Sequence, residues 1–271
     1  MMKTSLFLLP VLAAFVSVSR ADVSYTQVTS TPFGAMMGAG GGGITTKVYA
    51  KGDSNRTEAQ MFGRKTITIA RGAKQVIQID PATKTYTSSN GGSMAMAKTM
   101  MPAGQKLPSM SMSVSTQKLG TETVRGVKAP HYRVVMDMKM GTPRGPQNMK
   151  MGMDIWSSQV AIPTSAKTRS DALSNLPGNF KTMFGSGANI KGDVKGMTAA
   201  FATVPLRMKM MMNGQAISTT ETTAISTKPL SAALFAIPAG YRSVSNAQFA
   251  RAQQAAMQKT MANLMKNMPK R

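Results

Sequence analysis

Methionine recurs at every second position in three separate stretches of this chain, and no other feature restricts the fold as tightly. Met136, Met138 and Met140 alternate with Asp137 and Lys139; Met149, Met151 and Met153 lead to Ile155; Met208, Met210 and Met212 follow Leu206, with Arg207 and Lys209 between. Residues two apart on a strand share a face, whereas helical spacing would scatter them around a cylinder. The Gly- and Pro-rich break Thr142-Pro143-Arg144-Gly145-Pro146 reads as the loop between the first two stretches. The pattern therefore predicts antiparallel strands that gather thioethers into one soft apolar surface, with Lys, Asp and Trp156 on the other side.

The rest of the chain is punctuated in the same way. Short β-rich runs at 23–30, 44–51, 55–62, 65–70, 75–80 and 83–88 are separated by Gly52-Asp53, Gly63-Arg64, Arg71-Gly72 and Pro81-Ala82, which predicts an antiparallel meander. Gly38 to Gly43 is a connector, since no Lys-Ser or Lys-Thr follows to make a phosphate loop. Residues 90–115, with Gly91, Gly92, Pro102 and Pro108 among many methionines, read as a Met-rich loop, and pairing resumes near Gln117. The 162–198 stretch reads as an insertion across one opening of the sheet, with helix-compatible pieces at 165–176 and 179–184. A closing hairpin, 205–213 and 215–227, turns at Asn213-Gly214. Residues 246–271 read as a basic amphipathic helix capped by Asn246, with Met257, Met261, Leu264, Met265 and Met268 on one face.

The first 21 residues carry the signature of a secretory signal peptide: Lys3, an apolar run from Leu6 to Val18, then Ser19-Arg20-Ala21 before Asp22. The run is too short to span a bilayer. A periplasmic or secreted product is the expectation. The formal net charge is +23, of which only Lys3 and Arg20 belong to the leader. That charge implies attraction to anionic envelope surfaces, while export and the lack of a nucleic-acid-binding motif argue against a nucleic-acid partner.

Several motifs carry a resemblance. Gly120, Gly126, Tyr132 and Val134 resemble the G-x(5)-G-x(5)-Y-x-V strand pair of a family of exported proteins similar to the periplasmic lipoprotein carriers LolA and LolB. Asp154-Ile155-Trp156, Pro205-Leu206-Arg207-Met208 and Phe235-Ala236-Ile237-Pro238-Ala239-Gly240-Tyr241 extend the match over most of 22–245. The resemblance implies a mainly β fold with helices (α+β): a curved antiparallel sheet forming an incomplete LolA/LolB-like barrel, with a helical insertion, a C-terminal helix and an apolar concave face. Phe235, Ile237 and Tyr241 would seal one barrel edge.

The chemistry points to binding rather than catalysis. There is no Cys, His131 is the one imidazole, no G-x-S-x-G elbow is present, and the ten carboxylates stand apart in the sequence. No zinc or hard-cation site and no cofactor is indicated. Three readings of the methionines stay open. They line a groove with a basic rim for a lipid, an acyl chain or a lipoprotein, with Met136, Met138, Met140, Met149, Met151, Met153, Met208, Met210 and Met212 as its wall. They bind Cu(I) or Ag(I) through thioether sulfur. Or they fill the core of a structural or envelope interaction protein.

Overall fold

The computed structural model describes residues 21–31, 43–61, 63–72, 75–90, 110–142, 145–163 and 189–266. Six strands come first: β1 (Val23–Ser30), β2 (Ile44–Lys51), β3 (Ser54–Met61), β4 (Arg64–Arg71), β5 (Gln75–Asp80) and β6 (Thr85–Asn90). Each pairs antiparallel with the next, as the alternation and turn dipeptides predict. Three much longer strands follow: β7 (Met110–Val124), β8 (Val127–Thr142) and β9 (Gly145–Ala161). At about 3.3 Å per residue each is roughly 50 Å long, twice the length of any strand in the first half. Next come β10 (Asn189–Gly192), α1 (Val194–Ala200), β11 (Thr203–Met212) and β12 (Gln215–Ser226). A 3-10 turn (Ala232–Phe235), β13 (Arg242–Ser243) and α2 (Asn246–Lys266) complete the described chain.

All thirteen strands form one sheet in the order β10-β7-β8-β9-β11-β12-β1-β2-β3-β4-β5-β6-β13. β12 returns across the molecule to pair with β1 and joins the long-stranded half to the meander. The Asn213-Gly214 turn that starts this return has φ of 49° and 83°, the left-handed pair that a two-residue hairpin of matching twist requires. Among the described residues, parallel pairing occurs only at the two edges, where β10 lies on β7 and β13 on β6.

The registers fix two sides. Met208 lies opposite Thr220, Thr220 opposite Thr29 and Thr29 opposite Ile44, so the methionine side continues into the side of Val48, Thr68 and Thr87. Both described α-helices lie here. α1 packs on Val114, Val134 and Ile155. α2 lies along β6, where Asn246 accepts a hydrogen bond from Thr87 and Gln253 donates to Asp80. The reverse side of the meander holds its own core of Ile67, Ile69, Ile77 and Ile79, covered by Phe235 with Leu230, Leu234, Ile237 and Tyr241. Arg56 and Arg71 hold that cover by donating to the carbonyls of Leu234 and Phe235. The segment thus lies across the sheet's face, and the strand after it, β13, closes the edge at β6.

The structure corrects several expectations. The expected mainly β fold with helices (α+β) is corrected to a mostly β architecture: among the described residues, one large curved open sheet with two helices. Alternating Thr, Met and β-branched residues favour strand over long stretches and leave little chain for helix. Pairing begins at Met110 rather than near Gln117, because Met110-Ser111-Met112-Ser113-Val114 already alternates and meets Met140 to Met136 across the hairpin. Within 162–198 the described part is β10 and α1. The α2 cap is Ser245, whose hydroxyl accepts from the Gln248 N–H while Gln248 Oε1 accepts from the Ser245 N–H, a capping box. Met257 is 59% exposed, and the inward face of α2 is led by Phe249. The leader, the poly-Gly connector, the expected helices at 165–176 and 179–184, residues 91–109 and Met268 lie outside the described residues.

Candidate functional site

The predicted methionines come together on one side of β7, β8, β9 and β11. Successive rows run straight across the strands: Met112–Met138–Met149, then Val114–Met136–Met151–Met212, then Val134–Met153–Met210, then Tyr132–Ile155–Met208. Met140 holds the register position opposite Met110. Directly opposed residues have Cβ atoms about 5 Å apart, so neighbouring thioethers within a row lie within reach of one another. From Ile155 to Met149 the face extends about 20 Å along the strands, and from β7 to β11 about 15 Å across them.

Burial divides this face into a covered end and an open end. Under α1 the sheet contributes Val114, Val134 and Ile155 and the helix Ala200, all at most 3% exposed, with Met112, Met136, Met153, Met197 and Met208 packed around them. Local chemistry explains why α1 sits there. The Asp193 N–H donates to the Val114 carbonyl at 2.8 Å, and the Asp193 carboxylate caps the helix by accepting from the Gly196 N–H at 2.8 Å. Gly192 has φ of 97°, and a Cβ there would lie 2.0 Å from the Val114 carbonyl oxygen, so only glycine lets the chain turn onto the face. Ser157 ties the far end by donating to the Ala200 carbonyl. Beyond α1, Met138, Met149, Met151 and Met210 are half-buried and Met212 is 39% exposed.

The apolar surface ends at β12. There the same side presents Ser218, Thr220 and Thr222, with Thr220 hydrogen-bonded to Thr29 at 2.8 Å and Thr222 accepting from Gln27 at 3.3 Å. The face is therefore an apolar patch four strands wide beside a hydroxyl-lined floor.

A second constellation occupies the reverse side, and sequence reasoning missed it. Trp156 stacks on His131 with ring centroids 4.2 Å apart, and the Arg207 guanidinium lies 5.7 Å over the same indole. Glu122 accepts from Trp156 Nε1 at 2.8 Å and pairs with His131 Nδ1 at 2.7 Å. Those two bonds hold the Glu122 carboxyl below the usual carboxylate range. Asp154, buried, takes a two-pronged bond from Arg133 at 2.6 and 2.7 Å, which raises the guanidinium further. His131 Nε2 makes no hydrogen bond and faces Asp154 Oδ1 at 3.8 Å. Arg207 pairs with Glu221. The cluster links β7, β8, β9, β11 and β12 at the root of the long strands and corrects the expectation that the carboxylates stand apart. Its one sequence signal is Arg125-Gly126, with φ of 51° and 79°, a two-residue turn whose register places Glu122 diagonally across from His131. Among the described residues no group of three or more His, Cys, Asp or Glu is arranged to hold a metal ion, and no helix is long and apolar enough to cross a membrane.

No protein-family model matches the sequence, and no curated protein matches it. Among solved structures the chain is similar to PNGF-II, at 12% identity and a TM-score of 0.35, with 83% of this chain and 31% of that one covered. It thus spans about a third of PNGF-II's length. It is also similar to the Mycobacterium tuberculosis lipoprotein LppX, at 10% identity and a TM-score of 0.32, covering 78% of this chain and 88% of that one. LprF from Mycobacterium bovis shows 10% identity and a TM-score of 0.29, with 82% and 90% covered. None of these likenesses assigns a function, which rests on the chain's own residues.

Proposed function

We propose that this is an exported, non-catalytic binding protein whose methionine face takes up the apolar part of a lipid or other amphiphile. The observation that carries the reading is the graded face itself: four aligned rows, packed under α1 at one end and half-exposed at the other. A purely structural core would be covered along its length, whereas an apolar face left half-exposed at one end suits a binding surface. Met suits such a surface because its unbranched, polarizable side chain adapts to ligands of irregular shape. Each ligand methylene removed from water contributes about 0.8 kcal/mol, so six of them supply roughly 5 kcal/mol before ordering costs. The leader at residues 1–21 and the motif resemblance to the LolA and LolB carriers agree with an extracytoplasmic binding role.

A second reading has its own observation. Met112, Met138 and Met149 stand side by side on adjacent strands, as do Met136, Met151 and Met212. Such rows bring two or three thioethers together, the ligand set that a soft monovalent ion such as Cu(I) or Ag(I) selects. Titration with a fluorescent fatty acid and, separately, with Cu(I) distinguishes the two. Wild type should bind the fatty acid saturably, Met138→Leu/Met149→Leu should bind it within a fewfold, and Met138→Lys/Met149→Lys should lose at least tenfold. Cu(I) binding by wild type that is lost in the Leu variant, with no saturable fatty-acid binding, would favour the metal reading.

A further inference from the structure

The reverse side of the sheet carries a cleft that is separate from the methionine face. Where β12, β1 and β2 run side by side, two aligned rows, Ser226–Ser24–Tyr49 and Ala224–Thr26–Lys47, supply most of the lining of a cavity of about 190 Å³. A β-bulge builds it. Thr220 and Thr222 face the methionine side, and an unbroken β12 would put Ala224 and Ser226 there too. Thr223 is instead an extra residue, left over where Thr26 pairs with Ala224 and Gln27 with Thr222, so Ala224 and Ser226 land on the reverse side. Ser24, Thr26, Ala224 and Ser226 are small and leave a low floor between taller neighbours. Tyr49 packs on the core of Ile67, Ile69, Ile77 and Ile79 at one wall, and Ile225 packs against the group containing Trp156 and Leu206 toward the other.

We infer that this cleft binds a sugar-sized, hydroxylated ligand that carries one acidic group. Charge selects the acid. Lys47 lies opposite Glu58, but the two oxygens of Glu58 are already taken by Arg56 and Lys65, and Asp22 is taken by Lys51 and the Leu230 N–H. Among the described residues Lys47 has no ion pair, so its exposed ammonium is the unmatched charge beside the cleft. The lining selects the hydroxyls. Ser24, Thr26 and Tyr49 bring hydroxyl groups that both donate and accept, and no side-chain hydrogen bond engages them among the described residues. Size excludes an acyl ligand. The 190 Å³ is about the liquid volume of six waters, below the roughly 300 Å³ at which pockets for larger organic ligands begin. A sugar acid and a sugar phosphate share the required chemistry. The inference is independent of the methionine face, which lies on the other side of the sheet.

The test is calorimetric titration with glucuronate and with glucose 6-phosphate, set against glucose and inorganic phosphate. Wild type should bind at least one acidic sugar saturably, about tenfold or more tighter than either control, and the one it prefers identifies the acid as carboxylate or phosphate. Lys47→Gln should weaken that binding about tenfold. Ala224→Trp, made at an exposed position, fills the cleft and should abolish it. Lys150→Gln removes the same charge from an exposed site on β9, across the sheet, and should cost less than twofold. No saturable binding of either acidic sugar by wild type would overturn the inference. So would binding no tighter than that of glucose or inorganic phosphate, equal losses in the two Lys variants, or full binding by Ala224→Trp. Lys47→Gln and Ala224→Trp should bind a soluble fatty-acid probe like wild type. Failure of wild type to bind that probe, with acidic-sugar binding intact, removes the methionine-face reading and leaves this one standing.

Discussion

Ile155→Ala and Met138→Ala, made on the same apolar side of adjacent strands, should differ sharply in cost. Ile155 is fully buried beneath α1, between Val134, Val114 and Ala200. Truncating it removes about three methylene equivalents of transfer energy and leaves a cavity that the helix and three strands cannot collapse. The expected loss is about 3–4 kcal/mol. Met138 lies three rows farther out, half-buried and outside that cluster. Its truncation forfeits about half of a full methionine burial and leaves a dent open to solvent, so about 1 kcal/mol is expected. Trp156 is the one tryptophan of the chain, buried at 7% exposure against His131, and its fluorescence reports unfolding in urea. The two variants should show midpoints separated by roughly 2–3 kcal/mol at an unchanged denaturant slope. Equal costs of about 3 kcal/mol would mean that the whole face is filled core. Equal costs near 1 kcal/mol would mean that α1 does not cover it.

Asp154→Asn breaks the two-pronged bond to Arg133, whose side chain is 43% exposed and can rehydrate, so the loss should be about 1–2 kcal/mol by urea unfolding rather than the larger cost of a buried orphan charge. Phe235→Ala should cost about 3–5 kcal/mol in the same assay, because Phe235 is the buried centre of the cover over Ile67, Ile69, Ile77 and Ile79. Stability should fall in acid. Asp22, held by the Leu230 N–H and Lys51, and Glu122, held by Trp156 and His131, are depressed below their ordinary values of 3.8 and 4.5. Glu58 is raised by burial but lowered more by Lys65 and Arg56, for a net depression below 4.5. Groups depressed on folding stabilise above their unfolded values, and that contribution is lost as pH falls through the folded ones. Unfolding midpoints against pH should therefore be flat above about pH 5 and decline below about 4.5. A decline that begins near neutrality would point to other groups.

The strands that sequence located best are those whose signal is local. β1, β2 and β5 follow from alternation bounded by turn dipeptides, and Asn213-Gly214 fixed its own hairpin. The shared methionine face was legible because a period of two survives pairing with any odd or even register once the hairpin loops are placed. The missed strand start at Met110 had the same period, yet it follows a Gly-, Pro- and Met-rich stretch whose composition reads as loop. The cluster around Trp156 was invisible for a different reason. It assembles residues 122, 131, 133, 154, 156, 207 and 221, which come into reach through the pairing of β7, β8, β9, β11 and β12 in turn. The cap of α2 was placed one residue late because Asn246 and Ser245 are both good caps, and Gln248 at the third position after Ser245 decides between them.

Native mass spectrometry of the chain recovered intact from the cell envelope of its own organism addresses the central proposal directly. A lipid or other amphiphile mass should accompany the wild-type protein and be lost from Met138→Lys/Met149→Lys while remaining with Met138→Leu/Met149→Leu. Protein that carries no adduct, or an adduct retained equally by the Lys variant, would contradict a ligand-binding role for the methionine face.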